Sequence, residues 1–461
     1  MSSSESSRSS RVPRVRAAVT ALSLSVAALL LAGCASATPS SKTPASGTGF
    51  KPVKQDTSAG ITVWTDSTRL PEVQQYQKLH SDVKMNVVTY DGGADGSNYL
   101  QTKVQLFDRT GKGWPDVVFA PPTDVTWASA PTKPGAIPFA APLDQNLVPQ
   151  QTLDNFAKGA LSPCQYNGHT YCMRHDIAQV MLWYNKTLMD KWGYQVPTTW
   201  QQYQDLGQKV AKEHPGYIVG SVGDTNSQES YLWSSQCPAF QLVKPDTLRV
   251  NLQDGNCTRM SNLLDSLISA KAVTTQGFFS QGFAKSSGSK VLMAYGPSWY
   301  GQYLFNAAFK TPAGQLSAAA PLTWPGETTP STGNVGGGTW MVSSHSANLK
   351  ASTDLVTWLT TSDANQASAP TYPAYVPAAK AWLANPTNAK YFATDISGVF
   401  QQAANQVWTG WSNTKFSDAT AWSSVVLPAL TAGKSLTATL PAWQTAISDE
   451  AKANGYTVTN K

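Results

Sequence analysis

Residues 61–90 carry the stretch ITVWTDSTRLPEVQQYQKLHSDVKMNVVTY. Its first residues, 61–64, are rich in β-branched and aromatic side chains, which favour a strand. Pro71 is tolerated in the first turn of a helix, and the apolar side chains that follow have helical spacing: Val73, Tyr76 and Leu79. Residues 83–90 alternate between apolar and polar side chains, which predicts a second strand. This stretch therefore predicts a strand–helix–strand unit.

A second helix and a third strand follow. Ser97 can cap a helix that ends near Gly111 and has one apolar face: Leu100, Val104 and Phe107. Residues 116–120, DVVFA, predict a buried strand, and we interpret Asp116 at its start as structural. The alternation of strands and helices predicts an α/β fold with a parallel sheet and right-handed crossovers.

Ligands of such sheets bind at the carboxyl ends of the strands. Trp64 and Asp66 lie at the end of the first predicted strand, Tyr90 at the end of the second, and Asp124 just after the third. These four residues are therefore candidates for ligand binding. An aspartate in such a place can equally cap the next helix, and the two aromatic rings can equally point into the core.

The N-terminal 33 residues have the features of a targeting segment. Four arginines precede an apolar run at 17–32, which is shorter than the roughly 20 residues that a membrane-spanning helix needs. The tetrapeptide LAGC at 31–34 resembles the bacterial lipobox, in which the cysteine is lipidated. We therefore expect a lipid anchor on Cys34; the alternative is an ordinary secretory signal with an incidental cysteine.

Charge and composition limit the class of ligand. The net charge is +6, and residues 1–33 contain four Arg and one Glu, so the remaining chain has a net charge of +3. No run of Lys or Arg lies on one predicted face, so nucleic acid is not expected as a partner. Charged residues make up 13% of the chain, against 16 Trp and 17 Tyr, which favours a neutral ligand.

Four cysteines remain beyond Cys34, and an even number in an exported protein favours two disulfides. Cys164 and Cys172 flank a hairpin that turns at Asn167-Gly168, so we expect these two to pair. Cys237–Cys257 is then the second pair by elimination. A metal site is the alternative, but the five histidines are scattered and the sequence has no CxxC pair.

The middle of the chain predicts further strands and helices. Residues 180–184 predict a strand, Gly193 predicts the end of a helix, and Thr199 with Gln202 forms a capping box for the next helix. Residues 258–271 predict a helix with one apolar face. Near the C-terminus the sequence predicts helices and no further strand.

Several segments, taken in order, resemble the sugar-binding family 1 of extracellular solute-binding proteins, which serve ABC importers and include maltose-binding proteins. They are ITVWTD at 61–66, PDVVFA at 115–120, YNK at 184–186 with Gly193 and PTTW at 197–200, MAYGPSW at 293–299, and GGG at 336–338 followed by MVS at 341–343. The resemblance runs from about residue 60 to about residue 450. The high tryptophan content and the two expected disulfides depart from the common pattern of the family.

The resemblance implies a periplasmic-binding-protein type II fold, with two α/β lobes that each contain a mostly parallel sheet and are joined by a hinge. The ligand would stabilise closure of the lobes. The expected segments are a signal peptide at 1–33, a disordered tether at 34–59, the first lobe at 60–142 and 321–363, and the second lobe at 143–320 and 364–461. The implied protein is a lipid-anchored monomer on the extracellular face of the membrane, without a cofactor, whose partners are a carbohydrate and separate permease subunits.

The resemblance also suggests ligand-binding residues. Trp299, Asp176 and Tyr375 match family positions that meet ligand, and we expect the glycine and tryptophans around the second crossing between lobes to approach it: Trp324, Gly338 and Trp340. Weaker candidates are Trp233, Trp408 and Trp411. Aromatic rings offer flat apolar surfaces to sugar C–H groups, and carboxylates accept hydrogen bonds from sugar hydroxyls. Each tryptophan can instead belong to a core.

Enzyme motifs are incomplete. Ser298 lies in GPSWY, which lacks the final glycine of a nucleophile elbow, and the GKS at 433–435 has Pro428 where a phosphate-binding loop needs glycine. The alternatives to a binding protein are a secreted glycoside hydrolase or lyase, which would need a pair of carboxylates, and a ligand-sensing partner of a membrane receptor.

Overall fold

A computed structural model of the chain describes residues 50–90, 99–131 and 136–461. The predicted signal segment, Cys34, the first part of the predicted tether and the predicted cap Ser97 lie outside the described residues. Within the described ranges, no helix has both the length and the apolar character that a bilayer crossing requires.

The strands of the described part are short. They are β1 (Ile61–Thr65), β2 (Met85–Thr89), β3 (Val117–Ala120), β4 (Gln165–Tyr166), β5 (His169–Thr170), β6 (Met173–Arg174), β7 (Val180–Asn185), β8 (Gly220–Ser221), β9 (Gln241–Lys244), β10 (Thr247–Arg249), β11 (Val273–Thr274), β12 (Met293–Pro297), β13 (Leu316–Ala319), β14 (Thr339–Val342) and β15 (Thr457–Thr459).

The helices surround these sheets. They are α1 (Leu70–Leu79), α2 (Tyr99–Thr110), α3 (Pro122–Ala128), α4 (Gln150–Asp154), α5 (Lys186–Trp192), α6 (Trp200–Glu213), α7 (Ser227–Tyr231), α8 (Gly255–Ser269), α9 (Gln281–Ser287), α10 (Leu349–Thr361), α11 (Asp363–Gln366), α12 (Val376–Ala384), α13 (Pro386–Ala389), α14 (Ser397–Ala404), α15 (Asp418–Ala421), α16 (Leu427–Thr431) and α17 (Leu436–Ala453). Short 3₁₀ turns cover Ser162–Cys164 and Gly288–Lys290, and π-helices cover Tyr300–Ala308 and Trp422–Val426.

The first sheet has the strand order β2-β1-β3-β14-β6. β1 runs parallel to both β2 and β3, so the parallel strand–helix–strand arrangement predicted for residues 61–120 is confirmed. β14 is antiparallel to β3 and β6. β6 lies inside the range 143–320 that was predicted for the second lobe, and it nevertheless completes the first sheet.

The second sheet, β12-β7-β13, is antiparallel throughout. The expectation of a mostly parallel sheet in each lobe is therefore correct for β1 to β3 and wrong for this sheet. A continuous apolar strand such as β7 indicates burial on both faces, which is common in parallel sheets but does not determine the direction of the neighbouring strands. β8 and β11 form a separate two-stranded sheet, which is parallel.

Local sequence signals account for several boundaries. Thr199 and Gln202 form the predicted capping box at the start of α6, and Gly193 ends α5 in the left-handed conformation with φ 70°. Asn167 and Gly168 both have positive φ values, of 47° and 80°, as a two-residue hairpin turn requires. These predictions are confirmed.

Both predicted disulfides, Cys164–Cys172 and Cys237–Cys257, are present. The first closes the hairpin of β4 and β5, and the second joins the segment after α7 to α8. Their sequence separations are 8 and 20 residues. Among the described residues, no group of three or more His, Cys, Asp or Glu side chains could hold a metal ion.

One apolar position of the first predicted helix is exposed, and one local prediction is wrong. Leu79 is the last residue of α1 and its side chain is 63% exposed, whereas Val73 and Tyr76 are buried. The expectation of no strand near the C-terminus fails because β15 pairs in parallel with β10. β15 is three residues long, too short to show a period of its own.

The folded part of the chain begins before residue 60. Gln55 accepts a hydrogen bond from the backbone N–H of Leu349 at 3.0 Å, and Asn348 donates to the carbonyl oxygens of Thr57 and Ala59. These bonds attach residues 55–59, which were predicted to be the end of the tether, to the start of α10.

Two large apolar cores and a smaller third one hold the molecule together. One large core contains side chains of β1, β3, α1 and α10, and the other contains side chains of α6, α8 and α17. The third core lies around Trp64 and the hairpin disulfide. Trp299 packs against both large cores, so it lies where these two cores meet.

Candidate functional site

Trp299 forms one wall of a cavity of about 300 Å³. Its indole Nε1 donates a hydrogen bond to the carbonyl oxygen of Val335 at 2.9 Å, which fixes the orientation of the ring. The ring is partly buried and lies two residues after the end of β12. The cavity is lined by Gly223, Asp224, Thr225, Asn226, Ser230, Phe279, Trp299, Tyr300 and Val335.

Two further aromatic rings extend the surface beside Trp299. Phe279 lies 5.8 Å from it between ring centroids and is 44% exposed, and Tyr303 lies 6.4 Å from it and is 40% exposed. Tyr303 belongs to the π-helix that begins immediately after Trp299. Such helices are rare and frequent at functional sites. Exposed aromatic faces of this kind suit the apolar face of a ligand ring.

Asp224 supplies the carboxylate of this cavity. Burial raises the pKa of Asp224 to about 6, while hydrogen bonds from the backbone N–H groups of Phe278 and Phe279 lower it. The bond from Phe278 is 3.2 Å long. The side chain is therefore held in place and remains able to accept hydrogen bonds from a ligand in the cavity.

Arg69 connects two of the predicted site residues. Its guanidinium lies 3.1 Å from a carboxylate oxygen of Asp66 and 3.6 Å from one of Asp176, and 4.7 Å above the ring of Phe119. Asp66 also accepts a hydrogen bond from the backbone N–H of Arg69 at 2.7 Å, at the start of α1. Asp66 therefore closes a local turn just before α1, whose N-cap residue is Arg69, and the helix has no side-chain cap hydrogen bond.

Asp176 is almost completely buried, with 2% of its surface exposed, and it accepts a hydrogen bond from the backbone N–H of Gly338 at 2.6 Å. Burial raises the pKa of Asp176, but the interactions with Arg69 and His175 and its hydrogen bonds outweigh this effect, so its pKa lies below the ordinary value. A side chain on Gly338 would collide with the ring of Phe119, so glycine is required there.

Asp124 lies in the first turn of α3 and accepts a hydrogen bond from the indole of Trp127 at 3.1 Å. Burial raises the pKa of Asp124 to about 6, and the bond from Trp127 opposes this. The neighbouring Thr126 donates to the carbonyl oxygen of Asn413 at 3.3 Å, which joins α3 to the segment before α15.

Trp233, Trp408 and Trp411, here called the tryptophan cluster, lie together. The rings of Trp233 and Trp411 are stacked, with centroids 5.4 Å apart and planes 4° apart, and Trp233 donates to the carbonyl oxygen of Trp408 at 2.7 Å. The cluster lines a small cavity of about 40 Å³ together with Arg174, Asn334 and Asn413. Because Asn334 lines this cavity and Val335 lines the cavity at Trp299, the two cavities are neighbours.

The remaining predicted site residues pack into the interior. Trp340 has no exposed surface and packs against Phe119, and Trp64 and Tyr90 are less than a tenth exposed and pack against each other. A fully buried ring such as Trp340 presents no surface to a ligand in this structure. The alternative interpretation, that these aromatic residues belong to cores, matches their burial.

Trp324 and Tyr375 lie away from the cavity at Trp299. The ring of Trp324 stacks on Trp200 at 5.7 Å, and the guanidinium of Arg259 lies 4.5 Å from it. Tyr375 precedes α12 and packs edge-on against Phe156 at 5.3 Å. The structure therefore brings Asp66, Asp176 and Gly338 together through contacts near Arg69, and it places Trp233 in the tryptophan cluster.

Sequence reasoning missed Asp224, Phe279, Tyr303 and Arg69. Asp224 follows β8 as Asp66 follows β1, but β8 has two residues and gives no recognisable strand pattern. Tyr303 lies four residues after Trp299, a helical spacing that the sequence does show. Nothing in the sequence singles out Phe279, and two contacts of Arg69, Asp176 and Phe119, come from distant segments.

A larger cavity, of about 580 Å³, lies beside the disulfide-closed hairpin. Its described lining contains Tyr166, Tyr171 and three prolines but no carboxylate: Pro131, Pro138 and Pro142. The cavity at Trp299 is smaller, but it combines aromatic faces with a carboxylate, and this makes it the better candidate for a specific polar ligand.

The family model described as bacterial extracellular solute-binding protein matches residues 64–366. No curated protein sequence matches the chain. Among solved structures, the galacto-N-biose/lacto-N-biose I-binding protein of the ABC transporter of Bifidobacterium longum, in complex with lacto-N-biose, has a TM-score of 0.71 and 20% identity, over 88% of this chain and 100% of that one.

Two further structures share this fold. The ABC transporter associated binding protein of B. animalis subsp. lactis Bl-04, in complex with β-1,6-galactobiose, has a TM-score of 0.66 and 21% identity, over 87% of this chain and 99% of that one. A receptor of Streptomyces glaucescens GLA.O, solved without ligand and with acarbose, has a TM-score of 0.65 and 20% identity, over 87% of this chain and 100% of that one. At these identities the likeness establishes the fold, and all three proteins are binding proteins or receptors.

Proposed function

This chain belongs to the family of bacterial extracellular solute-binding proteins, and we propose that its solute is a carbohydrate, which it captures beside Trp299 and delivers to the permease of an ABC importer. The observation that carries the proposal is the juxtaposition of an anchored indole ring and a partly buried carboxylate, Asp224, in one cavity.

The aromatic rings and the polar side chains of this site suit the apolar C–H faces and the hydroxyl groups of a sugar. The C–H faces of a sugar ring are apolar and can lie on Trp299, with Phe279 and Tyr303 as neighbouring surfaces. Sugar hydroxyls donate to Asp224, and the side chain of Asn226 offers both a donor and an acceptor. A cavity of about 300 Å³ lies at the lower end of the range for small-molecule sites, which favours a mono- or short oligosaccharide.

Two other observations support a sugar. The structures with the same fold include proteins in complex with lacto-N-biose, with β-1,6-galactobiose and with acarbose. The tryptophan cluster, in the adjacent cavity, offers additional aromatic surface that a longer glycan could use. Asp66, Asp124 and Asp176 remain proposed ligand contacts, reachable only if a ligand displaces their present partners.

The proposal includes the cellular setting. Residues 1–33 would direct export, lipidation of Cys34 would hold the protein at the extracellular face of the membrane, and the binding domain would act as a monomer without a cofactor. We propose two lobes with the boundaries given above, and a role in binding rather than in catalysis. The permease and its ATPase would be separate chains.

The test is a thermal-shift screen of residues 50–461 against neutral sugars, polyols and amino acids. A ligand that binds only the folded state raises the unfolding midpoint, and at about 100 times its dissociation constant it adds about 2.7 kcal/mol to the stability. Each ligand that raises the midpoint is then recovered and checked for chemical change.

A stabilising sugar that is recovered intact supports the proposal. Stabilisation only by amino acids or polyols would overturn the carbohydrate assignment, and a hydrolysed or cleaved glycan would favour the glycoside hydrolase or lyase alternative.

A further inference from the structure

Arg174 of β6 is a cation in the interior of the protein, with 2% of its surface exposed. Its Nε donates a hydrogen bond to the carbonyl oxygen of Asp176 at 3.1 Å, and its Nη2 donates to that of Gly336 at 3.2 Å. A guanidinium has five N–H donors, so these two bonds leave three donors without an acceptor in the described part of the chain. Because Arg174 lines the small cavity of the tryptophan cluster, a ligand group in that cavity could accept from them.

The charge of Arg174 also lacks a direct partner. In the described ranges no carboxylate forms an ion pair with it; Asp176, which acts on it from a greater distance, is paired with Arg69 at 3.6 Å. Burial lowers the pKa of Arg174 to about 10, and Asp176 opposes this effect, so the guanidinium stays charged at neutral pH. A buried charge is costly unless a group of opposite charge lies close to it. An anion in the cavity would meet this requirement.

The lining of the cavity is positively charged. It contains Lys158 in addition to Arg174, and none of its described residues is an aspartate or a glutamate. Lys158 is exposed and lies on the side where the cavity meets the surface. The neighbouring cavity at Trp299 is the reverse, since its described lining contains Asp224 and no lysine or arginine. The two adjacent cavities therefore suit groups of different charge.

The size of the cavity limits the group that can enter. About 40 Å³ corresponds to about three water molecules at roughly 10–15 Å³ each. A carboxylate, with two oxygen atoms, fits this space, whereas a whole sugar ring does not. The ring that carries the carboxylate would lie outside, where the partly exposed indole of Trp408 offers an apolar surface.

The disulfide-closed hairpin brings the two cations to one place. Pro163, which precedes Cys164, and Arg174, which lies two residues after Cys172, both line the cavity, and Lys158 lies just before the hairpin. The Cys164–Cys172 bond thus joins the two segments that carry the positive charges.

We propose that this cavity binds the carboxylate of an acidic sugar, a uronic acid unit of the captured glycan, through the free N–H groups of Arg174, with Lys158 at the entrance. A guanidinium edge matches a planar carboxylate with parallel charge-assisted hydrogen bonds. This inference rests on the proposed function, because it names the class of carbohydrate. The composition of the whole chain favours a neutral ligand, but the charges of this cavity favour an acidic unit.

The test measures affinities of the wild-type chain by calorimetry for matched acidic and neutral sugars. The acidic probes are galacturonate, glucuronate and digalacturonate, and the neutral counterparts are galactose, glucose and galactobiose. Acetate, compared with chloride at equal ionic strength, shows whether a carboxylate without a sugar binds. The ligand comparison needs no substitution, so it does not depend on the folding of a variant.

Two variants locate the charge that is recognised. Arg174→Gln removes the cation but keeps an amide that can donate to a backbone carbonyl, and Lys158→Gln removes the exposed cation. Lys209→Gln is the control, since Lys209 is an exposed lysine of α6 whose ammonium lies 5.0 Å from the ring centre of Tyr194, outside both cavities. Circular dichroism verifies the fold of each variant.

We expect the wild type and Lys209→Gln to prefer at least one acidic probe over its neutral counterpart by about tenfold or more, the scale of a charge-assisted hydrogen bond. Arg174→Gln should lose this preference and keep its affinity for neutral sugars. Lys158→Gln should lower the preference by about two- to threefold, because an exposed cation contributes less. If Arg174→Gln does not fold, the wild-type preference and its decrease in Lys158→Gln decide.

Neutral sugars that bind as tightly as their acidic counterparts would overturn this inference and leave the proposed function intact. A preference that is unchanged in a folded Arg174→Gln chain, or in Lys158→Gln where the first variant does not fold, would also overturn it. Acetate binding that depends on Arg174, with no sugar of either kind bound, would support the anion site and contradict the proposed function. Binding of neither acetate nor any sugar would contradict both.

Discussion

Asp176 accepts a hydrogen bond from the backbone N–H of Gly338, with the two heavy atoms 2.6 Å apart and the residues 162 positions apart in the chain. Both residues were expected to contact a ligand, and here they contact each other. Arg69 adds an ion pair to Asp176 and another to Asp66. The network ties the start of β14 and the segment after β6 to the start of α1.

Replacement of Asp176 by alanine should strongly destabilise the fold, because it leaves the largely buried Arg69, with 14% of its side chain exposed, without one of its two carboxylate partners. Breaking a buried pair in this way costs about 3 kcal/mol or more. Urea unfolding of the purified chain measures the change. Asp190→Ala, which removes an exposed partner of Lys186, is the control and should leave the midpoint unchanged within error. Equal midpoints for the two variants would show that the network does not stabilise the fold.

Replacement of Gly338 by alanine should also destabilise the fold, because the added methyl group would collide with the ring of Phe119. Overpacking of this kind typically costs about 1–3 kcal/mol. Gly282→Ala in α9 is the matched control, since nothing lies within 4 Å of the added carbon atom there. Thermal unfolding should separate the two variants; a Gly338→Ala chain as stable as Gly282→Ala would refute the close packing at this point.

Because of Asp224, the affinity for the sugar should decrease at acidic pH. Its pKa of about 6 means that the carboxylate takes up a proton as pH falls through that value and then no longer accepts from two hydroxyls. Affinity measured by calorimetry should therefore decrease below pH 6 in the wild type. In Asp224→Asn it should be weaker at neutral pH and nearly constant on the acid side.

Asp205→Asn is the control for this measurement, because Asp205 is an aspartate of α6 whose described contact is with Gln201. It should keep the wild-type pH dependence. If the affinity of Asp224→Asn still decreases below pH 6 as in the wild type, Asp224 does not belong to the proposed site.

The sequence predicts those parts of the structure that depend on neighbouring residues. The turn at Asn167-Gly168, the capping box of Thr199 and the left-handed Gly193 each require a few adjacent positions, and all three are present. The parallel arrangement of β1 to β3 follows in the same way, because short connections of alternating strands and helices leave little choice of topology.

The candidate site depends on contacts between distant segments, and the sequence does not carry this information. Trp340 and Trp299 both follow glycine-containing stretches, yet one side chain is fully buried while the other lines a cavity. Which of them faces a ligand depends on how the two large cores meet. Asp224 follows a two-residue strand, and the contact between Arg69 and Asp176 joins two segments that are distant in the chain. Neither residue could therefore be identified from its neighbours in the sequence.

The most direct test of the carbohydrate site is calorimetric titration of the stabilising sugar into the Trp299→Ala variant. The comparison is with Trp192→Ala, in which a partly buried tryptophan stacked on His214 at 3.8 Å, away from the cavity, is removed. Circular dichroism verifies that both variants are folded. We predict that Trp299→Ala loses more than about 1 kcal/mol of binding free energy, about fivefold in affinity or more, while Trp192→Ala binds as the wild type does. Wild-type affinity in a folded Trp299→Ala chain would contradict the site proposed here.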